Sequence, residues 1–563
     1  MMKKTRNSES GSIAKATVSY FSDNKKPLFV FAGFFIVMLI ALFFNVTAAE
    51  TVLSFNIFDY EPGQVSDINV IADRDVFNAD NTIAVEKGER LIRKGFVITE
   101  QSFDKLKKLA EAPEYFDSRA YLNSIVYFLF VSLLAFFLFS ERLLGRKCRL
   151  RELIFLCSAF LITYCLVCIC QRSVTFSSPY MLPVVIPASF FAILITVLFG
   201  QLSAVYFSFI TFFAVLEAAS YQLVPALFML CSCIVAIRIV RNIHKRFDLV
   251  VASLAQAGIN VIIMGLEFLV FTEPAVSLVK SLSGVAFNGF ISSILALGFL
   301  TPLESLLNTA SVFRLMDLSD LNSPIMRKLL ITAPGTYNHS MMVATLAENA
   351  CTEIGANPLL ARVGAYYHDL GKMDSPEYFV ENQSGDNKHD EINNPRLSVS
   401  VIRSHVKKGV EKAHQLHLPD EVIDIIAEHH GNSLISYFYN EALKLDEQTS
   451  PEEYSYIGTP PTSREAAVVM LADTVEAACR TLERPSVSRL EKFIHTLVMA
   501  KYEHRQLDRS NLTFKDLNVI EAAFVTVLAA SYHSRIEYPD QKDPDEADAV
   551  KTEVKAEKEK TNE

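Results

Sequence analysis

The sequence predicts an all-α protein with two main parts: a multi-pass transmembrane helix bundle and, after it, an all-α soluble domain. Two observations carry this prediction. Hydrophobic residues make up 50% of the 563 residues and the mean hydropathy is positive, which is unusual for a soluble protein. Long apolar runs fill the first 300 residues, whereas amphipathic helical patterns dominate after residue 301. A small α/β segment is expected between the first two spanning helices.

The first spanning helix is predicted at residues 28–47, because a spanning helix needs about 20 mostly apolar residues. The preceding segment, residues 1–27, is rich in Lys and Arg and should therefore be cytoplasmic. A signal peptide cleaved near Ala48 and Ala49 is the alternative, but the apolar run is longer than a typical signal core. Both readings leave the orientation of the later helices unchanged.

Residues 48–120 should form a short extracytoplasmic segment. Gly88 and Gly95 favour turns, and Thr99 can cap a helix that runs to about residue 110. The segment is a small α/β module at most. A sensor and an ordered linker without a ligand fit it equally well.

Seven further spanning helices are predicted between residues 121 and 300. Their approximate bounds are 121–140, 152–170, 181–199, 203–219, 221–239, 249–271 and 283–300. Basic residues cluster in two loops that the crossing count places inside, around Arg146 and around Arg241, while the outside connections carry only Arg172 and Lys280. Eight crossings return the chain to the cytoplasm at about residue 301, so the sequence predicts a multi-pass protein of the cytoplasmic (inner) membrane.

The rest of the chain divides into three predicted parts: a connecting helix at 301–333, an all-α cytoplasmic domain at 334–539 and a disordered charged tail at 540–563. The tail has no aromatic residue and cannot bury enough apolar surface to fold. The formal net charge of −10 argues against binding of a nucleic acid polymer. The nine cysteines lie mostly in apolar runs and are interpreted as packing residues.

Histidines are concentrated in the predicted soluble domain, where eleven of the twelve follow residue 338. An ordered set lies within or at the end of separate predicted helices: His339, His368, Asp369, His405, His429, His430 and Asp473. Facing helices can aim such side chains at one interior point. Burying five imidazoles and two carboxylates requires positive charge, which metal ions supply.

Seven ligands exceed the needs of one tetrahedral zinc and suit two ions that share a carboxylate. Asp369 is the predicted bridge. Mixed nitrogen and oxygen ligands favour iron or manganese as the two divalent ions. Adjacent side chains on a regular helix diverge by about 100°, so His429 and His430 can reach the same ion only if their helix frays at Gly431.

Residues 334–536 resemble the HD-domain phosphohydrolases through several motifs: "PGTYNHS", "VGAYYHDLGKM", "FVENQ", "SHVKKGVE", "EHHGNSLISYFY", "MLADTVEAACR" and "YHSRIEYP". Together with the one-plus-seven topology, these motifs resemble the seven-transmembrane HD subfamily, whose members are membrane-bound cyclic di-AMP phosphodiesterases with a binuclear metal centre. The extracytoplasmic segment is shorter than the domain usual in that family.

The resemblance implies one metal ion held by His339, His368, Asp369 and Asp473, and a second held by Asp369, His405, His429 and His430. It implies that a hydroxide activated between the metals attacks one phosphorus of cyclic di-AMP, so that the 3′ oxygen leaves and linear 5′-pApA forms. Asp369 and Lys372 are the candidate catalytic residues. Lys372 is expected to contact a substrate phosphate; the alternative is a solvated surface lysine.

Two other functions stay open at the level of sequence. One is an HD hydrolase of another nucleotide, cyclic di-GMP or a guanosine alarmone, although the segment after His430 lacks the Gly-Tyr-Pro signature of cyclic di-GMP hydrolases. The other is a membrane receptor that binds a nucleotide without cleaving it. An inactive receptor of this kind would be expected to lack a metal ligand, and no ligand position is missing here. The expected partners are cyclic di-AMP and the lipid bilayer, with a homodimer as a candidate assembly.

Overall fold

A computed structural model describes residues 25–47, 60–111 (except 67–69, 73, 74, 79, 81 and 94), 118–144, 148–171, 173–271 (except 174, 175, 177, 242 and 244) and 278–532 (except 384, 386, 483 and 484). Three predictions lie outside these residues: the basic stretch before residue 25, the cleavage position at Ala48 and Ala49, and the charged tail at 540–563. The chain divides into two compact units, Met1–Phe313 and Arg314–Glu563.

The first unit is built from long apolar helices. Within the described residues, seven are long and apolar enough to cross a membrane. They are α1 (Lys25–Thr47), α3 (Ser118–Leu138), α5 (Leu150–Gln171), α7 (Gln201–Ala218), α8 (Leu223–Val240), α9 (Arg246–Phe271) and α10 (Leu278–Leu307), with the short helices α2 (Glu100–Glu111), α4 (Glu141–Leu144) and α6 (Ala188–Phe199) between them. These apolar helices make the protein a multi-pass membrane protein.

The spanning helix predicted at 181–199 differs from the structure. A 3-10 turn at Leu182–Val184 precedes α6, which has 12 residues and is too short to span about 30 Å of hydrocarbon. Pro183 and Pro187 explain the difference, because proline lacks an N–H and disfavours helix in the residue before it. Asn288 of α10 donates its amide to the carbonyl oxygens of Val184 (2.8 Å) and Ile186 (3.1 Å), which satisfies backbone that is not helical.

The α/β segment predicted after the first helix is present. Strand β1 (Val70–Ile71) pairs with β4 (Arg90–Ile92), and β2 (Val76–Phe77) pairs with β3 (Ile83–Val85), both antiparallel. Helix α2 buries Leu106 and Leu109 against this small sheet region. Thr99 accepts the backbone N–H of Ser102 at 3.1 Å, which confirms the predicted helix cap.

The second unit is all-helical apart from an isolated bridge between Leu434 and Ser455, within the described residues. Its helices are α11 (Val312–Leu318), α12 (Pro324–Thr332), α13 (Pro334–Ile354), α14 (Pro358–Tyr367), α15 (Lys388–Ile392), α16 (Pro395–Gln415), α17 (Asp420–Glu428), α18 (Ser436–Leu445), α19 (Arg464–Cys479), α20 (Val487–Glu503) and α21 (Phe514–Tyr532). Helix α11 begins two residues before the boundary of this unit.

The single connecting helix predicted at 301–333 is not observed. The segment comprises the end of α10 followed by the short helices α11 and α12. Asn308 takes up a left-handed conformation with φ of 52°, which ends α10. Pro324 then opens α12 in the first-turn position that proline prefers.

Candidate metal centre

Three helices bring His339, His368 and Asp473 to one buried point. His339 lies on α13, His368 directly follows the last residue of α14, and Asp473 lies on α19. All three are buried. The His339 Nε2 lies 3.0 Å from Asp473 Oδ1, and the His368 Nε2 lies 4.0 Å from the same oxygen. These three side chains therefore face each other across the interior of the second unit.

Asp369 lies between two groups of histidines. Its Oδ2 is 3.1 Å from His368 Nε2 and 3.7 Å from His339 Nε2. Its Oδ1 is 3.4 Å from His405 Nε2 and 3.8 Å from His429 Nε2. One carboxylate oxygen thus faces each group, which is the geometry that a bridging ligand requires.

His405, His429 and His430 form the second group, in which one ligand atom from each residue lies within 4.8 Å of the others. Helix α17 ends at Glu428, and His429 is its C-cap residue. Gly431 follows with φ of +53°, a left-handed conformation that glycine adopts without strain. The chain therefore leaves the helix as predicted, and the adjacent histidines both point into the site.

A close approach of two backbones fixes the distance between Asp369 and His405. The 3-10 turn Leu370–Asp374 packs against α16, and a Cβ on Gly371 would lie 1.8 Å from the carbonyl oxygen of His405. Only glycine fits there. The glycine two residues after Asp369 thus lets the segment that carries Asp369 lie directly against the helix that carries His405.

Hydrogen bonds at the far side of each ring set the orientation of the histidines. The Nδ1 of His368, His405 and His429 lies against a main-chain carbonyl three residues earlier, on Ala365 (2.7 Å), Ile402 (2.5 Å) and Ile426 (2.8 Å) respectively. A ring that donates its Nδ1 proton to a carbonyl presents Nε2 as a free acceptor. Each of these histidines is held in the form that binds a metal.

The second group consists of neutral imidazoles. Burial lowers the pKa of His405 to about 4 and that of His429 to about 3, and it holds the pKa of His430 well below its usual range. Burial also opposes ionisation of Asp369, but His368 and Lys372 outweigh it and hold the pKa of this carboxyl well below its usual range. Neutral imidazoles around an ionised carboxylate are the donors that a divalent cation needs.

Lys372 is partly buried, with its side chain 12% exposed, and is not a solvated surface lysine. Its Nζ lies 2.7 Å from Asp369 Oδ2 and 2.8 Å from Glu381 Oε1, and it stands 4.9 Å above the Phe379 ring. Burial favours the neutral amine, yet Asp369 and Glu381 raise the pKa of Lys372 above its usual range. Lys372 is therefore a fixed positive charge beside the Asp369 carboxylate.

Two acidic residues that support the site, Glu476 and Glu381, were not predicted from the sequence. Glu476 accepts the Nδ1 proton of His339 and also binds Arg480 at 2.6 and 2.9 Å. Its spacing of three residues after Asp473, on the same face of α19, was a signal that could have identified it. Glu381 lies in the quoted "FVENQ" motif, but nothing in that motif indicated its contact with Lys372.

Tyr456 is a third residue at the site that the sequence did not reveal. Its ring stacks on His430, with centroids 4.2 Å apart and an angle of 23° between the planes. It reaches the site because residues 454–458 run beside the turn after α17: the N–H of Tyr456 donates to the Ser433 carbonyl at 2.9 Å. The stack holds the ring of His430, whose Nδ1 lies 3.6 Å from Asp473 Oδ2.

The residues fit a pair of divalent metal ions. The Nε2 atoms of His339 and His368 and the Oδ1 of Asp369 are buried and lack a hydrogen-bond partner among the described residues. Buried polar atoms without a partner are costly, and a metal ion removes that cost. His339 and His368 with Asp369 form one potential metal-binding group, and His405, His429 and His430 form another.

Two family profiles match this chain. The profile of the HD domain matches residues 336–478, and that of the "7TM receptor with intracellular HD hydrolase" matches residues 120–311. The first covers the segment that carries all seven predicted ligands. The second covers most of the apolar helices of the first unit.

Curated relatives carry the same two regions. The cyclic-di-AMP phosphodiesterase PgpH of Bacillus subtilis is 40% identical over 326 residues, 57% of this chain and 45% of that protein. The PgpH of Listeria monocytogenes is 29% identical over 468 residues, 82% of this chain and 65% of that protein. This chain therefore spans about half to two thirds of the length of these relatives.

A solved structure also matches. The crystal structure of the L. monocytogenes PgpH HD domain in complex with cyclic-di-AMP is 39% identical, with a TM-score of 0.37, and covers 38% of this chain and 100% of that chain. The two family profiles lie in the same order as the two structural units, apolar helices first and the HD domain second. Over residues 120–311 and 336–478 the chain is therefore similar to seven-transmembrane receptors with an intracellular HD hydrolase.

Proposed function

We propose that this protein is a membrane-bound, metal-dependent phosphodiesterase that hydrolyses cyclic di-AMP to linear 5′-pApA and so controls the level of this second messenger. The observation that carries the proposal is the position of Asp369 between two groups of histidines. The names of the two PgpH relatives supply the substrate.

His339, His368, Asp369 and Asp473 would hold one ion, and Asp369, His405, His429 and His430 would hold the other. When bound, two divalent ions supply an activated water and clamp the oxygens of an in-line phosphoryl displacement. Nitrogen and oxygen donors without thiolates favour iron or manganese. Asp473 lies close to both groups, because its Oδ1 is 3.0 Å from His339 Nε2 and its Oδ2 is 3.6 Å from His430 Nδ1.

Lys372 would orient the phosphate that is attacked. Its ammonium carries three donors, and contacts to Asp369 and Glu381 occupy two of them. The remaining N–H can meet a non-bridging phosphate oxygen next to the bridging carboxylate. Because the ammonium is held between two carboxylates, it does not need to be reorganised when the substrate binds.

The second unit would lie in the cytoplasm, where a nucleotide second messenger is available. The basic loops around Arg146 and Arg241 support this orientation through the positive-inside rule. The first unit would anchor the hydrolase in the inner membrane, with the small α/β segment outside.

The test is a turnover assay on the full-length protein purified in detergent, with cyclic di-AMP, cyclic di-GMP and a guanosine alarmone offered separately in the presence of Mn²⁺. We expect linear 5′-pApA from cyclic di-AMP, formed at a higher kcat/KM than either other product. The Asp369→Ala variant should retain its helical circular dichroism and lose turnover by at least about a thousandfold, since the bridge between the ions is gone. Preferential turnover of another nucleotide would refute the substrate assignment, and undiminished hydrolysis by Asp369→Ala would refute the role of the bridge.

A further inference from the structure

A second lysine lies at the turn that follows His429 and His430. Lys501 of α20 donates a hydrogen bond from its Nζ to the Ser433 hydroxyl at 2.9 Å. Ser433 follows His430 by three residues, and its N–H donates to the His430 carbonyl at 3.1 Å. The Lys501 ammonium is therefore held at the turn that carries two of the metal-facing histidines.

The charge of Lys501 is not compensated by a carboxylate. Among the described residues, its ammonium forms no ion pair, whereas Lys372 contacts two carboxylates and Arg480 contacts one. The side chain is partly buried, and burial lowers the pKa of Lys501 while the negative charge of Asp473 opposes the shift. A partly buried ammonium with one neutral partner has two donors left for an anion.

A cyclic dinucleotide brings two phosphates, of which only one can be attacked at the metal ions in a given turnover. The other phosphate carries a negative charge that needs a partner when it leaves water. Lys372 is already balanced by Asp369 and Glu381, so it cannot compensate both phosphates. We propose that Lys501, positioned by Ser433, forms a subsite that binds the phosphate that is not attacked. This inference rests on the proposed function and adds a residue that recognises the dinucleotide.

Lys501 is not needed to hold the turn that follows α17. Gln506 already braces this turn, because its amide donates to Asn432 Oδ1 at 2.7 Å and its Oε1 accepts the Asn432 N–H at 3.3 Å. Gln506 is itself buried, at 4% exposure. Removal of the Lys501 ammonium should therefore leave the histidines in place.

The experiment compares Lys501→Met, Lys501→Arg and Lys492→Met in the full-length protein. Lys492 is an exposed residue of α20. It lies nine positions before Lys501, which is about 180° around the helix, so Lys492→Met removes the same charge from the opposite face. For each variant, kcat and KM for cyclic di-AMP are measured together with the metal content per chain.

We expect Lys501→Met to raise KM at least about tenfold, the size of a lost charge-assisted hydrogen bond, with kcat and metal content close to those of the wild type. Lys501→Arg should recover most of this loss, and Lys492→Met should match the wild type. A KM for Lys501→Met within about twofold of that of Lys492→Met would overturn the subsite, as would a loss of metal in Lys501→Met, which would mark a structural role. Failure of the wild type to cleave cyclic di-AMP would instead overturn the proposed function.

Discussion

At the scale of single residues, the candidate metal centre depends on the side chains behind the proposed ligands: Glu476 accepts the Nδ1 proton of His339, and Lys372 Nζ lies 2.7 Å from Asp369 Oδ2. The seven proposed ligands could be selected from the sequence because histidine and aspartate recur there in an ordered set on separate helices, and the structure brings their side chains together. Glu476 was missed because a lone glutamate on a helix is usually solvated. Its role depends on His339, which lies on a different helix and is distant in sequence.

Replacement of Glu476 with Gln should weaken metal binding about 10- to 100-fold, because the carboxylate that receives the His339 Nδ1 proton orients the ring and raises its basicity. Isothermal titration of the metal-free protein with Mn²⁺ measures the change. Glu491→Gln, at an exposed position of α20, is the matched control and should bind as the wild type does. Equal affinity in both variants would show that Glu476 does not support the ligand.

His339 titrates differently from the second group. Burial alone would lower its pKa, but Asp473 and Glu476 outweigh burial and raise the pKa of His339 to about 10. The pKa of His339 in the folded state lies above its value of about 6.5 in the unfolded state, so protonation of His339 stabilises the metal-free fold. This contribution to stability is complete below pH 6.5 and decreases as the pH rises towards 10.

We therefore expect a metal-free His339→Gln variant to lose less stability at pH 10 than at pH 6. Chemical unfolding of detergent-solubilised protein at the two pH values, followed by circular dichroism, measures the difference. A loss of stability that is independent of pH would contradict the assignment of a charged His339 in the metal-free protein.

At the scale of elements, the predicted helix end was correct where a glycine marks a turn, and the predicted spanning helix was wrong where prolines break it. The end of α17 at Glu428 was predictable because Gly431 follows three residues later, and the adjacent His429 and His430 could not otherwise share a site. The break at 181–199 was not anticipated, because the apolar content of this segment hid the effect of Pro183 and Pro187. The side chain that satisfies the broken backbone, Asn288, comes from a helix a hundred residues later, which no local pattern reveals.

Gly431 offers a test at this scale. An alanine Cβ there would lie 2.3 Å from Gln506 Oε1, and the backbone φ is +53°. Gly355, at the end of α13, has φ of +68°, and an alanine Cβ at that position would meet no described atom within 4 Å. Gly355→Ala therefore carries the backbone strain without the clash.

We expect Gly355→Ala to lower the free energy of unfolding by about 1–2 kcal/mol and to retain its metal. Gly431→Ala should cost more and should also reduce the metal content, because the turn that orients His429 and His430 must move. Denaturant unfolding and metal analysis of both variants measure this. Equal effects of the two substitutions would show that the Gln506 contact does not constrain the turn.

At the scale of the whole molecule, the sequence predicted a unit of apolar spanning helices followed by an all-helical HD domain, and both are present. The sequence pattern alone predicts the boundary between the two units, because long apolar runs give way to amphipathic helical patterns at about residue 301. The number of spanning helices was harder to predict, since length alone separates α6 from its neighbours.

The proposed orientation predicts that protease cleaves the second unit in inside-out membrane vesicles and not in intact spheroplasts. Immunoblotting with an antibody against residues 314–532 follows the digestion, and lysed spheroplasts show that the unit can be cleaved. Cleavage in intact spheroplasts would place the hydrolase on the outside and contradict its assignment to the cytoplasm.

The most direct test of the account is the number of divalent metal ions per chain, measured by elemental mass spectrometry on full-length protein reconstituted with Mn²⁺. We predict two ions per chain in the wild type, because Asp369 directs one oxygen to each group of histidines. A fully active protein that binds one ion, or none, would contradict the binuclear centre.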